Sequence, residues 1–232
     1  MSMDERMLLI RTCDIFAEIN DQEYEELNLI HRFIEADKGE YIYFESAYHN
    51  KLYFIKDGHI KIGYIDDNGN EIIKEIISKG EVFGQFTLEK DNLNGEFAQA
   101  YKTGVSLCAF NIEDFEQLLQ KKPYMALKYS KQVGNKLRQI ENRLVNLLNK
   151  DVKTRLLYFF KQLAQQEDAV QTTSGICLPN YLTHDDIAKL IGSSRQTVTT
   201  LINELEAAQL VKYSRTEICI TNLKQLEQLS AH

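Results

Sequence analysis

Between about Phe33 and Ile112 the apolar residues come in short runs, YIYFE, KLYFIK, HIKIGYI, EIIKEII and VSLCAF, separated by KGE, KDGH, DDNGNE and SKGE. Short strands at regular intervals with glycine-bearing turns predict an antiparallel β-roll or barrel. DNGN between alternating runs is a strong hairpin signal, and Asp57-Gly58 predicts another tight turn. Near Pro123 the period changes. Val133, Leu137, Ile140, Leu144 and Leu147 recur at alternating spacings of four and three, with Lys131, Lys136, Arg138, Glu141 and Arg143 between them. This is a narrow seam on a long helix over 123–150. A globular helix usually buries a wider stripe, so the seam predicts pairing with the same helix of a second subunit. Packing on its own β-roll is the alternative. A second helical pattern, VKTRLLYFFKQLAQQ, follows Asp151, and QTTSGICLPNY then reads as a loop or short hairpin. The expected architecture is therefore α+β: a β-roll over 1–122, a seam helix over 123–150 and a C-terminal domain over 151–232.

That last domain carries the clearest local signals. Thr183 is placed to N-cap a helix with Asp186 three residues on, and Ile187, Leu190 and Ile191 give it an inner face ending at Gly192. Ser193 with Gln196 predicts the cap of a second helix, whose buried side is Val198, Leu201, Ile202 and Leu205. Two capped helices joined through a glycine make a helix-turn-helix. Ala188 adds a small residue where the helices approach, and Val198 an apolar one to close their core. AAQLVKYSRTEICITN then reads as a helix end and two strands around Arg215-Thr216-Glu217, a β-wing.

With Ser193 as the cap, Ser194, Arg195, Gln196, Thr199, Thr200 and Asn203 project from the apolar side. Such a helix end suits the major groove, where Arg pairs with guanine, Gln or Asn with adenine, and Thr reaches a thymine methyl or a phosphate. Lys189, Lys212 and Arg215 are candidates for backbone phosphates. Gln196 has a competing role as a cap.

Composition refines this picture. In a chain of 232 residues, 44% hydrophobic and 26% charged residues describe a globular protein rather than a disordered or fibrous one. No apolar run approaches the ~20 residues a membrane helix needs, and the charged start MSMDERMLLIRTC lacks the apolar stretch of a signal peptide, so a cytoplasmic protein with no membrane partner is expected. The net charge of −7 speaks weakly against nucleic acid, but residues 151–232 are nearly neutral and residues 1–150 hold almost all of it. Cys13, Cys108, Cys177 and Cys219 are far apart and form no C-x-x-C pair, which predicts reduced, mostly buried thiols and no zinc site.

The order of β-roll, seam helix and winged helix resembles the Crp/Fnr family of bacterial transcription regulators. The resemblance is carried by LTHDDIAKLIGSSRQTVTTLINELEAAQLV at 182–211, with KDGHIKIG at 56–63 and SKGEVFGQ at 78–85. It implies a homodimer joined through 123–150 that sets two recognition helices in successive major grooves of a pseudo-palindromic double-stranded DNA operator, with RNA polymerase as a further partner. The departures matter equally. Cyclic-nucleotide-binding members hold the ribose with a glutamate after the roll's last glycine and the phosphate with an Arg-Ser or Arg-Thr pair. Here Gly84 is followed by Gln85, the second region reads Asn94-Gly95-Glu96-Phe97, and no arginine occurs between Gln85 and Ile112. A carboxylate facing a phosphate repels it, so the pocket marked by Gly84, Gln85, Glu96 and Phe97 is expected to be degenerate, with no response to cyclic AMP. Only Cys13 lies where oxygen-sensing members carry an iron–sulfur cluster, and His31, His49, His59 and Cys108 are not expected to ligate haem. No cofactor or metal is implied. Within the recognition helix Arg195 matches the cyclic-AMP-responsive branch, whereas Gln196 replaces a glutamate and Thr200 an arginine, which implies a different half-site.

The competing class is a ligand-binding or protein-interaction module whose winged helix docks a protein partner. Catalysis is not expected: the histidines are scattered, and no phosphate-binding glycine loop precedes a helix. Asp66-Asp67 and Asp185-Asp186 read as a turn and a helix first turn, where carboxylates suit the dipole.

Overall fold

The DNGN signal forms a hairpin. Strand β3 (Lys51–Ile65) pairs antiparallel with β4 (Glu71–Ile77), and between them the Asp66 carboxylate accepts bonds from the Asn68 and Asn70 amides at 2.9 and 2.7 Å. The computed structural model describes residues 11, 14–23, 31–44, 50–84, 96–166 and 168–230. The chain forms two compact units, Met1–Arg138 and Gln139–His232, and each is described by itself.

In the first unit an antiparallel sheet is built from β1 (His31–Ala36), β2 (Tyr41–Phe44), β3, β4, β5 (Val82–Gly84) and β6 (Glu96–Asn111) in the order β1-β6-β3-β4, with β2 also on β6 and β5 on β3. Its spine is β3 against β6. Both strands are fifteen residues or longer, and Asp57-Gly58, expected to turn between two strands, instead lies inside β3. The register shifts on both sides of Asp57. Gly58 has φ +84°, and a side chain there would meet the Gly104 carbonyl at 2.5 Å and Val105 at 2.8 Å. The glycine thus bends a strand against its partner rather than ending it.

The LYFI and LCAF segments are continuous apolar runs because both faces are buried. Leu52, Phe54, Cys108 and Phe110 join Ile15, Phe16, Phe115 and Met125 on one side, while Tyr53, Ile55, Leu107 and Ala109 join Tyr43, Ile60, Ile62 and Phe83 on the other. Helix α1 (Ile112–Lys121) closes the first cluster with Ile112, Phe115 and Leu118. The long helix α2 (Pro123–Asn149) begins at the expected proline and buries only Met125. Leu137, Ile140 and Leu144 are 54–57% exposed.

In the second unit α3 (Val152–Leu163) is capped by Asp151, whose carboxylate accepts from the Thr154 amide at 2.7 Å. β7 (Val170–Thr172) and β8 (Gly175–Pro179) form the hairpin that was one of two expectations for their segment. Then come α4 (His184–Ile191), α5 (Arg195–Ala207), β9 (Val211–Tyr213), β10 (Glu217–Ile220) and α6 (Leu223–Ser230), the strands forming a sheet in the order β7-β8-β10-β9. The register sets Cys177 directly opposite Cys219, and the two are joined as a disulfide. This corrects the expectation of reduced thiols: 42 residues separate the pair, and only the β8–β10 ladder brings them together. Cys13 lies outside the described residues. Among the described residues no helix is long and apolar enough to cross a membrane.

Candidate nucleic-acid interface

The first helix of the pair starts as its sequence predicts. Thr183 accepts the Asp186 amide through its hydroxyl, and the Asp186 carboxylate accepts the Thr183 amide at 2.7 Å, a reciprocal capping box. The helix ends at Gly192, which adopts φ +67°. The Ser193 amide donates to the Ala188 carbonyl at 2.8 Å, which places Ser193 in the turn. Ser194 therefore caps α5, in place of the Ser193 expected from sequence, and its hydroxyl accepts from the Thr197 amide at 3.1 Å. The shift removes Gln196 from the capping-box position. It occupies the second helical position, the third being Thr197, and its side chain is exposed rather than engaged in a capping box.

Val198, Ile202 and Leu205 are buried and Leu201 is half-buried, so the opposite side of α5 carries exposed Arg195, Gln196, Thr200 and Asn203. Thr200 donates to the Gln196 carbonyl at 3.1 Å. Thr199 is half-buried and donates to the Arg195 carbonyl at 2.9 Å. Its oxygen also lies 2.8 Å from Nδ1 of His184, which is then the donor, because the hydroxyl proton is already committed. Sequence reasoning passed over His184. Burial first, and then the Arg195 charge, hold its pKa below the ordinary histidine value of 6.5, while Glu206 opposes them. The ring also packs 4.7 Å from Tyr213, whose hydroxyl donates to the Leu182 carbonyl at 2.7 Å. One histidine thus ties the start of α4 to α5 and to the wing.

The wing strands β9 and β10 meet at Ser214–Thr216, where the Ser214 hydroxyl accepts from the Glu217 amide at 3.0 Å. Arg215 is exposed at this turn and Lys212 is exposed on β9. Lys189, by contrast, is half-buried and pairs with Asp185 at 3.2 Å. Behind the helices the Arg155 guanidinium donates to the Gly192 carbonyl at 3.1 Å and to the Leu147 carbonyl at 3.4 Å. Leu147, expected on the seam, also lies against Gly192: a side chain added at Gly192 would meet it at 2.9 Å.

In the β-roll Gly84 ends β5 and Glu96 opens β6, next to the buried Phe97. Gln85, Asn94 and Gly95 lie outside the described residues. Glu96 accepts from the Tyr43 hydroxyl at 2.8 Å and pairs with Lys74 at 2.9 Å. Lys61 pairs with Glu71 at 2.5 Å and Lys136 with Glu75. Burial raises the Glu81 carboxyl above its usual range, against the pull of Lys136. Three lysines of this region are thus held by carboxylates. The partners of Glu96 were not visible in sequence, because they come from β2 and β4.

A capped helix pair presenting Arg, Gln, Thr and Asn beside a two-stranded wing defines a winged helix-turn-helix DNA-reading module, here following a β-roll and a long helix. Comparison with known proteins agrees. The family model for the Crp-like helix-turn-helix domain matches residues 154–229, and that for the cyclic nucleotide-binding domain matches residues 33–122. The global nitrogen regulator of Synechocystis is 28% identical over 193 residues, 83% of this chain and 85% of that protein. The cAMP-activated global transcriptional regulator CRP of Salmonella typhimurium is 26% identical over 160 residues, 69% of this chain and 75% of that protein. The fold matches a CooA mutant from Carboxydothermus hydrogenoformans with a TM-score of 0.77 at 22% identity, over 94% of this chain and 95% of that one. The chain belongs to the Crp/Fnr family and is a DNA-binding transcription regulator of that family.

Proposed function

We propose that the protein acts as a homodimer that reads a pseudo-palindromic operator without cyclic AMP. The observation that carries the dimer is the stripe of α2, where Leu137, Ile140 and Leu144 stay more than half exposed on a helix that buries only Met125. An apolar seam this regular is covered in solution, and an identical helix fits it. Arg195, Gln196, Thr200 and Asn203 are the base-reading side chains, and Thr199 and Ser194 hold the helix end. Lys212 and Arg215 take phosphates, as does Lys189 after exchanging Asp185 for DNA.

The vacant effector role rests on Glu96. Its carboxylate is engaged by Tyr43 and Lys74 near the place where family members hold a cyclic phosphate, so a phosphate entering there meets an anion and no uncommitted lysine from Lys61 or Lys74. By this reading the protein works in the cytoplasm, on the same DNA as RNA polymerase, and by binding rather than catalysis.

Selection of random duplex DNA by the ligand-free protein tests the proposal. The expected result is a two-fold symmetric motif with half-sites about 10 bp apart. Arg195→Ala should relax one position of each half-site by about 1–3 kcal/mol. Calorimetric titration should show no sub-millimolar cyclic AMP binding, and recovery of the TGTGA half-site or of such binding would refute the corresponding part.

A further inference from the structure

Strand alternation divides β8 and β10 between two faces. Leu178, Ile218 and Ile220 are buried on one face, whereas Cys177 and Cys219 lie on the other, directly opposite each other. Their next cross-strand neighbours, Val170 and Lys212, are exposed, as is Glu217 two residues from Cys219. Both cysteines are buried, at 5% and 3% exposure, although their cross-strand neighbours are exposed, and the register alone sets the two side by side. Each sulfur also has a polar neighbour: the Thr172 hydroxyl is 3.3 Å from Cys177 Sγ, and a Glu217 carboxylate oxygen is 3.3 Å from Cys219 Sγ. The second contact is a hydrogen bond only in the thiol form, since a disulfide sulfur has no proton to donate. Cys177 is flanked on its outer side by β7, a three-residue edge strand whose residues are all exposed and whose opening is correspondingly cheap.

The position gives the bond control over the reading head. Its two ends bracket α4, α5 and β9, and Cys219 pairs in register with Lys212. In a thiol-rich cytosol a disulfide is a transient, sensing bond rather than a permanent staple. We propose that Cys177 and Cys219 form a reversible thiol–disulfide switch, closed by low-molecular-weight disulfides, that raises operator affinity when closed and lowers it when open; this rests on the DNA-reading role given above. In closing, the thiolate of one cysteine attacks a sulfur of the small disulfide, breaking that S–S bond and expelling one thiolate. The second cysteine thiolate then attacks the mixed disulfide, forms the Cys177–Cys219 bond and expels the other thiolate. Two electrons pass from the pair to the oxidant, and the two protons of the protein thiols end on the two released thiols. Closure removes open conformations of the enclosed segment and so pre-organises helix and wing for the groove.

The test uses the full chain equilibrated in buffers of graded reduced and oxidised glutathione, with thiols counted by mass-tagged alkylation and affinity measured on the selected operator. The expected result is paired loss of two thiols, mapped to Cys177 and Cys219 and reversed by dithiothreitol, with about five-fold or greater gain in affinity. A variant carrying both Cys177→Ser and Cys219→Ser should keep the reduced-state affinity in every buffer. The switch is overturned if the pair stays reduced across the series, if it closes without changing affinity, or if both thiols are held by a copurifying zinc ion. Selective binding that ignores redox state removes the switch alone. Absence of selective binding in reduced, oxidised and variant protein removes the operator reading and the switch together.

Discussion

Single residues decide how the reading head is held. Thr183 and Asp186 satisfy each other's amides at the start of α4, so Thr183→Ala should cost about 1–2 kcal/mol, seen as a lower denaturant midpoint with unchanged slope. His184 introduces a pH dependence. Burial and Arg195 lower its folded pKa below 6.5, with Glu206 opposing and the uncharged Thr199 and Tyr213 completing its surroundings. As pH falls below about 6.5 the unfolded chain takes up the proton first, so this contribution to stability is full above that value and declines until the folded histidine is protonated too. Unfolding free energy measured from pH 7.5 to 5 should show this decline, and His184→Gln should flatten it. The cap of α5 shows the resolution of a sequence argument at this scale. Ser193 and Ser194 are both competent caps, and the choice falls on Ser194 because the Ser193 amide is drawn to the Ala188 carbonyl in the preceding turn.

Elements governed by neighbours in the chain were legible, and those governed by distant register were not. The α4–turn–α5 unit declares itself through caps and a glycine within about 25 residues, and DNGN through one loop. By contrast α1 went unassigned, although Ile112, Phe115 and Leu118 share its buried face, because its short apolar pattern merges into the end of β6. The first half of β6 was missed as a strand for a similar reason: EFAQAYKTG has few apolar residues, and its pairing with β3 and β2 supplies the order. The disulfide and the Tyr43–Glu96–Lys74 group required ladders that no local motif announces. For α2 the strict spacing of its stripe corresponds to real exposure. Replacing Leu137 and Leu144 together by Glu should convert the proposed dimer to monomer in sedimentation experiments, while leaving the unfolding of the winged-helix unit within about 0.5 kcal/mol, since both side chains face solvent within one chain.

At the scale of the whole molecule, charge is distributed unevenly: almost all of the net −7 resides in residues 1–150, whereas the DNA-reading unit is nearly neutral and has exposed Arg195 at the start of α5 and exposed Lys212 and Arg215 in the wing. Affinity should therefore remain steeply salt-dependent despite the acidic chain. A dimer covering about 6–10 phosphates should lose about 10³–10⁵ in affinity between 50 and 200 mM salt, and a flat response would point to a protein partner in place of DNA. The Arg155 bridge adds a mechanical property. Its guanidinium grips the last turns of α2 through the Leu147 carbonyl and the elbow between α4 and α5 through the Gly192 carbonyl, with the Leu147 side chain wedged against the same glycine. One guanidinium thus holds a carbonyl from the tail of the long helix and a carbonyl from the elbow between α4 and α5, so a displacement of the last turns of α2 is expected to be felt at that elbow.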